Sequence, residues 1–204
     1  PFETIMESAS AIITTSIAEG FGLAYLEPWL FGKAIVGRDL PAITQDFREK
    51  GVRLTGLYET LLIPEAWIDL NALENNLREE LQAAYAIYGA PMPADAVSRA
   101  RAGITPAPGY LDFGGLDEGL QESVIRHTLK DTEARSWVAE QIPLNLRPGN
   151  DQILANADTI RQHYNLQAYG ERLRDLYLAI AAAPASKVGS LDSNAVLRQY
   201  LKPE

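Results

Sequence analysis

Residues Ala11-Ile12-Ile13-Thr14-Thr15 form an apolar, β-branched run of strand length, followed at once by a glycine-containing loop and an amphipathic segment. No polar alternation breaks the run, so it reads as a strand buried on both faces, as in parallel sheets. Ser16–Gly22 is the loop. Leu23–Phe31 places Leu23, Leu26, Leu30 and Phe31 at helical spacing. Gly32 stands where a helix ends in a left-handed residue. Ala34-Ile35-Val36-Gly37 is a second short buried strand, and Asp39-Leu40-Pro41 opens a turn and a helix ending near Lys50. Two consecutive strands joined through a helix run in the same direction, so this order predicts a parallel α/β unit. A short helix over Glu3–Ala9 precedes it.

Beyond Gly51 the pattern changes. Leu57–Ile63 is apolar and open between strand and helix. Leu70, Leu73, Leu77, Leu81, Ala84, Tyr85 and Tyr88 recur at helical spacing, which predicts a helix over Asp69–Tyr88 with Asp69 as its N-cap. Gly89–Gly115, with Pro91, Pro93, Pro106 and Pro108, reads as a linker or long loop holding a short helix at Ala94–Ala102. Helices are expected at Asp117–Leu129, Thr132–Gln141, Asp151–Tyr164, Leu166–Ala183 and Asn194–Leu201. The fourth of these carries Leu166, Tyr169, Leu173, Leu176, Tyr177 and Ile180 on one face. The expected organisation is an α/β domain over 1–88, a linker over 89–115 and a helical region over 116–204.

A net charge of −9, with Lys and Arg scattered singly, disfavours nucleic-acid binding, which needs clustered positive charge. No apolar run approaches the roughly 20 residues of a membrane-spanning helix. The chain has no cysteine, hence no disulfide, thiolate metal site or cysteine nucleophile. These features suit a cytoplasmic protein. His127 and His163 lack metal-ligand spacing and read as surface or partly packed side chains. Trp29, Trp67 and Trp137 read as core or interface anchors. The chain opens Pro1-Phe2-Glu3 on a helix that runs straight into a strand, which leads us to expect a piece of a longer protein.

The chemistry concentrates in Thr15-Ser16-Ile17-Ala18-Glu19-Gly20-Phe21-Gly22-Leu23-Ala24-Tyr25-Leu26-Glu27-Pro28. A loop at the C-terminal end of a parallel strand is where ligands bind in α/β sheets. The helix start near Gly22–Ala24 offers free N–H groups and a positive dipole end, suited to a diphosphate. Gly20 and Gly22 permit close backbone approach. Glu19 and Glu27 can accept hydrogen bonds from sugar hydroxyls. Set against this, acidic residues near a helix start are common for dipole reasons alone, and the Ser16 hydroxyl could equally serve its own loop. Lys33 and Arg38 read as solvated charges, with a cleft role for Arg38-Asp39, which follows a strand end, as the alternative.

This block resembles the signature of family 4 retaining glycosyltransferases of the GT-B fold: a Ser, a short gap, Glu-Gly-Phe-Gly-Leu, then a second Glu after seven intervening residues. Ala9-Ser10-Ala11 and the strand after it resemble the family's run into the motif. Gly32-Lys33-Ala34-Ile35-Val36-Gly37 resembles its Gly-x-Pro-Val-Val segment, with Ala34 replacing the proline. The likeness covers roughly residues 1 to 45. It implies a partial Rossmann-like parallel sheet of the GT-B C-terminal domain, followed by a largely helical C-terminal region. It also implies a nucleotide-diphosphate sugar as donor substrate, with neither metal nor cofactor. Glu19 would contact the donor sugar as the catalytic-site carboxylate, the Phe21–Ala24 backbone (Phe21, Gly22, Leu23, Ala24) would meet sugar and diphosphate, Glu27 would hold the ribose, and Ser16 and Gly20 would shape the loop. The family's basic diphosphate clamp and its N-terminal domain do not fit before Pro1. A missing N-terminal domain is therefore an expected partner, the chain alone is expected to be inactive, and self-association of its exposed apolar faces is expected. A GT-B phosphorylase relative and a non-catalytic assembly module remain as alternatives.

Overall fold

The structure, a computed structural model, describes residues 2–142, 146–184 and 189–201. In chain order it runs α1 (Phe2–Ser8), β1 (Ala11–Thr14), α2 (Leu23–Leu30), β2 (Ala34–Arg38), α3 (Pro41–Glu49), β3 (Leu57–Tyr58), β4 (Leu62–Pro64) and α4 (Leu70–Ile87). It continues with α5 (Ala96–Gly103), β5 (Tyr110–Asp112), α6 (Glu118–Lys130), α7 (Thr132–Gln141), α8 (Asn150–His163), α9 (Leu166–Ala182) and α10 (Ser193–Tyr200). The class is α/β, with a small parallel sheet and a helical C-terminal region, as the sequence predicts. By contact the chain groups into two units, Pro1–Glu59 with Ile142–Ser186, and Thr60–Gln141 with Lys187–Glu204. Both the 1–88 stretch and the 116–204 stretch are therefore shared between units.

The first unit is built on a parallel sheet in the order β1-β2-β3, with Ala11 opposite Ala34 and Thr14 opposite Gly37. β2 is central, and Ala34, Ile35 and Val36 are buried. β1 departs from the expectation of burial on both faces, because Ile13 is 69% exposed. The reason is position: β1 is an edge strand with one hydrogen-bonded neighbour, whereas β2 has two. Gly37 adopts a φ of 128°, and a Cβ there would lie 1.9 Å from the Thr14 carbonyl oxygen. That approach lets the two strands meet at their C-terminal ends.

α2 packs on this sheet through Tyr25, Leu26 and Trp29. The expected stripe of Leu23, Leu26, Leu30 and Phe31 is thus shifted, with Leu23 and Leu30 exposed. Tyr25 and Trp29 bury more surface than the leucines and bring polar handles that find partners. The Trp29 Nε1 donates to the Tyr25 carbonyl at 3.0 Å, and the Tyr25 hydroxyl donates to the Arg38 carbonyl at 3.0 Å. α3 starts with Pro41 at its first turn, where a missing N–H costs nothing. α8 returns from far along the chain to cover α2, placing Ile160 in the same core. Its Asn156, fully buried, accepts from the Arg53 N–H and donates to the Arg53 carbonyl, both at 2.8 Å. A side-chain amide here completes what a neighbouring strand would supply.

Tyr164, just after α8, meets Phe47 edge-on, and its hydroxyl donates to Asp46 Oδ2 at 2.6 Å. Burial and then the Asp46 carboxylate raise the tyrosine above its ordinary range, against the Arg172 cation. Below about pH 10 the phenol is neutral in both folded and unfolded chain. Above it the unfolded chain releases its proton first, so this stabilisation is lost as pH rises toward the folded pKa. Tyr164→Phe should therefore flatten the alkaline limb of stability against pH. An unchanged alkaline slope in urea titrations would remove Tyr164 as its source.

The second unit holds the antiparallel pair β4–β5, with the fully buried Ile63 and Leu111 directly opposed. β5 lies within the stretch expected to be linker. The Gln141 amide accepts from the Leu62 N–H at 2.9 Å and donates to its carbonyl at 3.1 Å, docking α7 on β4. Trp137 stacks on Tyr110, with centroids 5.8 Å apart. α4 begins as expected, with Asp69 accepting from the Asn71 and Ala72 amides.

α9 is different. It belongs to the first unit, yet none of its residues is buried, and Leu166, Tyr169, Leu176, Tyr177 and Ile180 are all more than half exposed. The stripe read from the sequence exists, but it faces solvent.

Candidate functional site

The loop between β1 and α2 gathers the residues singled out by the sequence at the C-terminal ends of the parallel strands. Thr14 ends β1, and its hydroxyl accepts from the Ser16 N–H at 3.4 Å. The Ser16 hydroxyl donates to Glu19 Oε1 at 2.8 Å. The bond holds Glu19, which is half-buried, and is a third role for Ser16 beside the two the sequence left open. Gly20 and Phe21 form the outer rim, Phe21 being 86% exposed. A Cβ at Gly20 would meet nothing within 4 Å, so packing does not require this glycine.

Gly22 is the turning point. Its φ of 70° is left-handed, and a Cβ would lie 2.3 Å from Ile43 Cγ2 and 3.0 Å from the Phe47 ring. It therefore serves both the turn and the packing of α3 beneath it. Because the N-cap is a glycine, no side chain caps α2, and its leading N–H groups at Leu23 and Ala24 lie where an anion is favoured. Glu27 follows one turn after Leu23 and is half-buried. Pro28 cannot donate to the carbonyl of Ala24, which relaxes the ladder inside this short helix.

Two further groups stand beside this loop, Tyr25 and Asp39. Burial pushes the Tyr25 hydroxyl above its ordinary range, and the Asp39 and Glu19 carboxylates push the same way, against a hydrogen bond with Thr14 and the Arg38 cation. Tyr25 is thus a neutral donor aimed at the strand ends. Its position within the motif is visible in the sequence, but the spacing gives its hydroxyl no partner. Asp39, which follows β2, is buried and held by Thr44 Oγ1 at 2.5 Å and Arg48 Nη2 at 2.6 Å. Arg48 Nη1 also donates to Thr44 Oγ1 at 2.7 Å. Thr44 and Arg48 stand four apart on α3, the one sequence signal that could have shown this network.

The other flagged side chains play structural parts. Lys33 donates to the Glu7 carbonyl at 2.8 Å, and His127 packs against Trp67. Among the described residues no cluster of three or more His, Asp or Glu is placed to hold a metal ion. No helix among them is long and apolar enough to cross a membrane. Comparisons with protein-family models, with curated proteins and with solved structures gave no match.

Proposed function

We propose that this chain is the donor-binding part of a retaining, nucleotide-sugar-dependent glycosyltransferase of the GT-B class. The observation that carries the reading is the union, in one loop, of an oriented carboxylate with an uncapped helix start. Ser16 holds Glu19 at the end of β1, and three residues later Gly22 opens α2 without a side-chain cap. An anion at that helix start would be favoured by its free N–H groups and dipole. A hexose on the diphosphate would then present its hydroxyls to Glu19, and the ribose would present its own to Glu27. In this reading Glu19 positions and stabilises charge and forms no covalent bond. No metal or cofactor takes part, and an N-terminal domain from a longer protein supplies the acceptor side, so the isolated chain is inactive.

Calorimetric titration of the full-length gene product, with this chain beside it, against UDP, GDP, ADP and their glucose conjugates tests this. One nucleotide should bind, and Glu27→Ala should weaken it about 10- to 100-fold, the value of hydrogen bonds to a charged group. Glu19→Gln should weaken the sugar conjugate and spare the free nucleotide. Gly20→Ala should leave the melting temperature unchanged, because its Cβ has open space, and still reduce binding. Absence of any nucleotide binding, or binding indifferent to Glu27→Ala, would overturn the proposal.

The apolar face of α9 turned to solvent suits the assembly-module reading, and equally an isolated chain that lacks its N-terminal domain. It predicts concentration-dependent self-association in sedimentation velocity, reduced by Tyr169→Glu with Ile180→Glu. A monomer at every concentration would count against it.

A further inference from the structure

The second unit contains a cavity of about 710 Å³ between the end of α4, the loop after it, α5 and α10. That lies within the about 300–1,000 Å³ typical of small-molecule sites. Tyr85, Tyr88, Leu197 and Leu201 give it an apolar, partly aromatic wall. This wall is built in place: the Tyr85 hydroxyl donates to the Leu201 carbonyl at 2.6 Å, and the Tyr88 and Tyr200 rings meet edge-on at 5.9 Å. The charged lining, among the described residues, is two guanidinium groups, Arg99 and Arg198. Both lining charges are cationic in a chain with 27 acidic and 18 basic residues; Arg198 also meets Asp192 at 3.7 Å, a loose exposed pair that leaves guanidinium donors for a ligand. Guanidinium is suited to fork-like recognition of carboxylate and phosphate, and flat aromatic faces suit a planar body.

We propose that this cavity binds a small aromatic anion, its planar apolar body held by Tyr85, Tyr88 and Leu197 and its carboxylate or phosphate by Arg99 and Arg198. The proposal concerns the second unit only and does not depend on the glycosyltransferase reading.

The test is calorimetry on the whole chain with 1-naphthylacetate and 1-naphthyl phosphate, and with 1-naphthaleneethanol as the uncharged counterpart. At least one anion should bind one-to-one with a Kd below about 1 mM, and the alcohol at least about tenfold more weakly. The Arg198 side chain is largely exposed, so Arg198→Gln leaves folding intact and should weaken the anion about five- to tenfold. Leu197→Trp should abolish binding by filling the space. Neither anion binding, the alcohol binding equally well, or full affinity in Arg198→Gln would overturn the proposal.

Discussion

Replacing Gly37 by alanine destabilises the first unit by about 3–5 kcal/mol, a large share of the roughly 5–15 kcal/mol that holds a domain folded. The added Cβ would stand 1.9 Å from the Thr14 carbonyl oxygen and 2.9 Å from its carbon. Both are backbone atoms of the paired strand, so no rotamer change can relieve the contact. The φ of 128° adds strain for any side chain. The only escape is to part β1 from β2, which also moves the loop that carries Ser16 and Glu19. Urea denaturation followed by tryptophan fluorescence should show a midpoint far below that of Gly20→Ala, the neighbouring glycine with open space. A Gly37→Ala unfolding free energy within about 1 kcal/mol of wild type would show that the strands do not approach as described.

The second large effect concerns Asn156. Asn156→Leu keeps the volume and removes both hydrogen bonds to Arg53; the Arg53 N–H loses its acceptor, while its carbonyl keeps the Gln152 amide at 3.0 Å. The expected loss is about 1–3 kcal/mol, the cost of one unsatisfied buried group. Asn156→Asp separates the two bonds. The carboxylate can still accept from the Arg53 N–H, but it faces the Arg53 carbonyl with a lone pair and no proton. Burial raises the folded pKa of such an acid above the unfolded value near 3.9. The folded state then binds the proton more tightly, so stability should be low at pH 7 and recover as pH falls through the folded pKa. Hydrogen exchange at the Arg53 amide, with thermal melts between pH 4 and 7, reads both effects. A variant whose stability does not rise on acidification would refute the bidentate clamp.

The contrast between Asn156 and Asp69 shows what local sequence can reveal. Asp69 caps α4 through amides two and three residues away, and Gly32 ends α2 with a φ of 70°, so both signals sit inside a short window. The strand–loop–helix–strand unit was legible for the same reason. Asn156 and Gln141 work through partners 103 and 79 positions away, and on their own helices they look like ordinary polar residues. β5 has three residues between a glycine and a turn, too short for periodicity to register among so many prolines and glycines. The face of α2 was misplaced because leucines were counted ahead of Tyr25 and Trp29. At the site, Ser16 and Glu19 stand three apart and were readable together. The Tyr25 hydroxyl and the Asp39–Thr44–Arg48 network needed the fold to bring them to the same strand ends.

The return of α8 to the first unit also sets a timetable. A ribosome adds residues at roughly 5–20 per second, and 103 positions separate Arg53 from the asparagine that clamps it. For about 5–20 seconds, then, α2 and β2 exist without the helix that packs on α2. The emerging chain must carry that uncovered surface while the whole of β4 to α7 is being made. Moving α8 next to β3 in a permuted gene would shorten the exposure, and the yield of folded protein would register the difference.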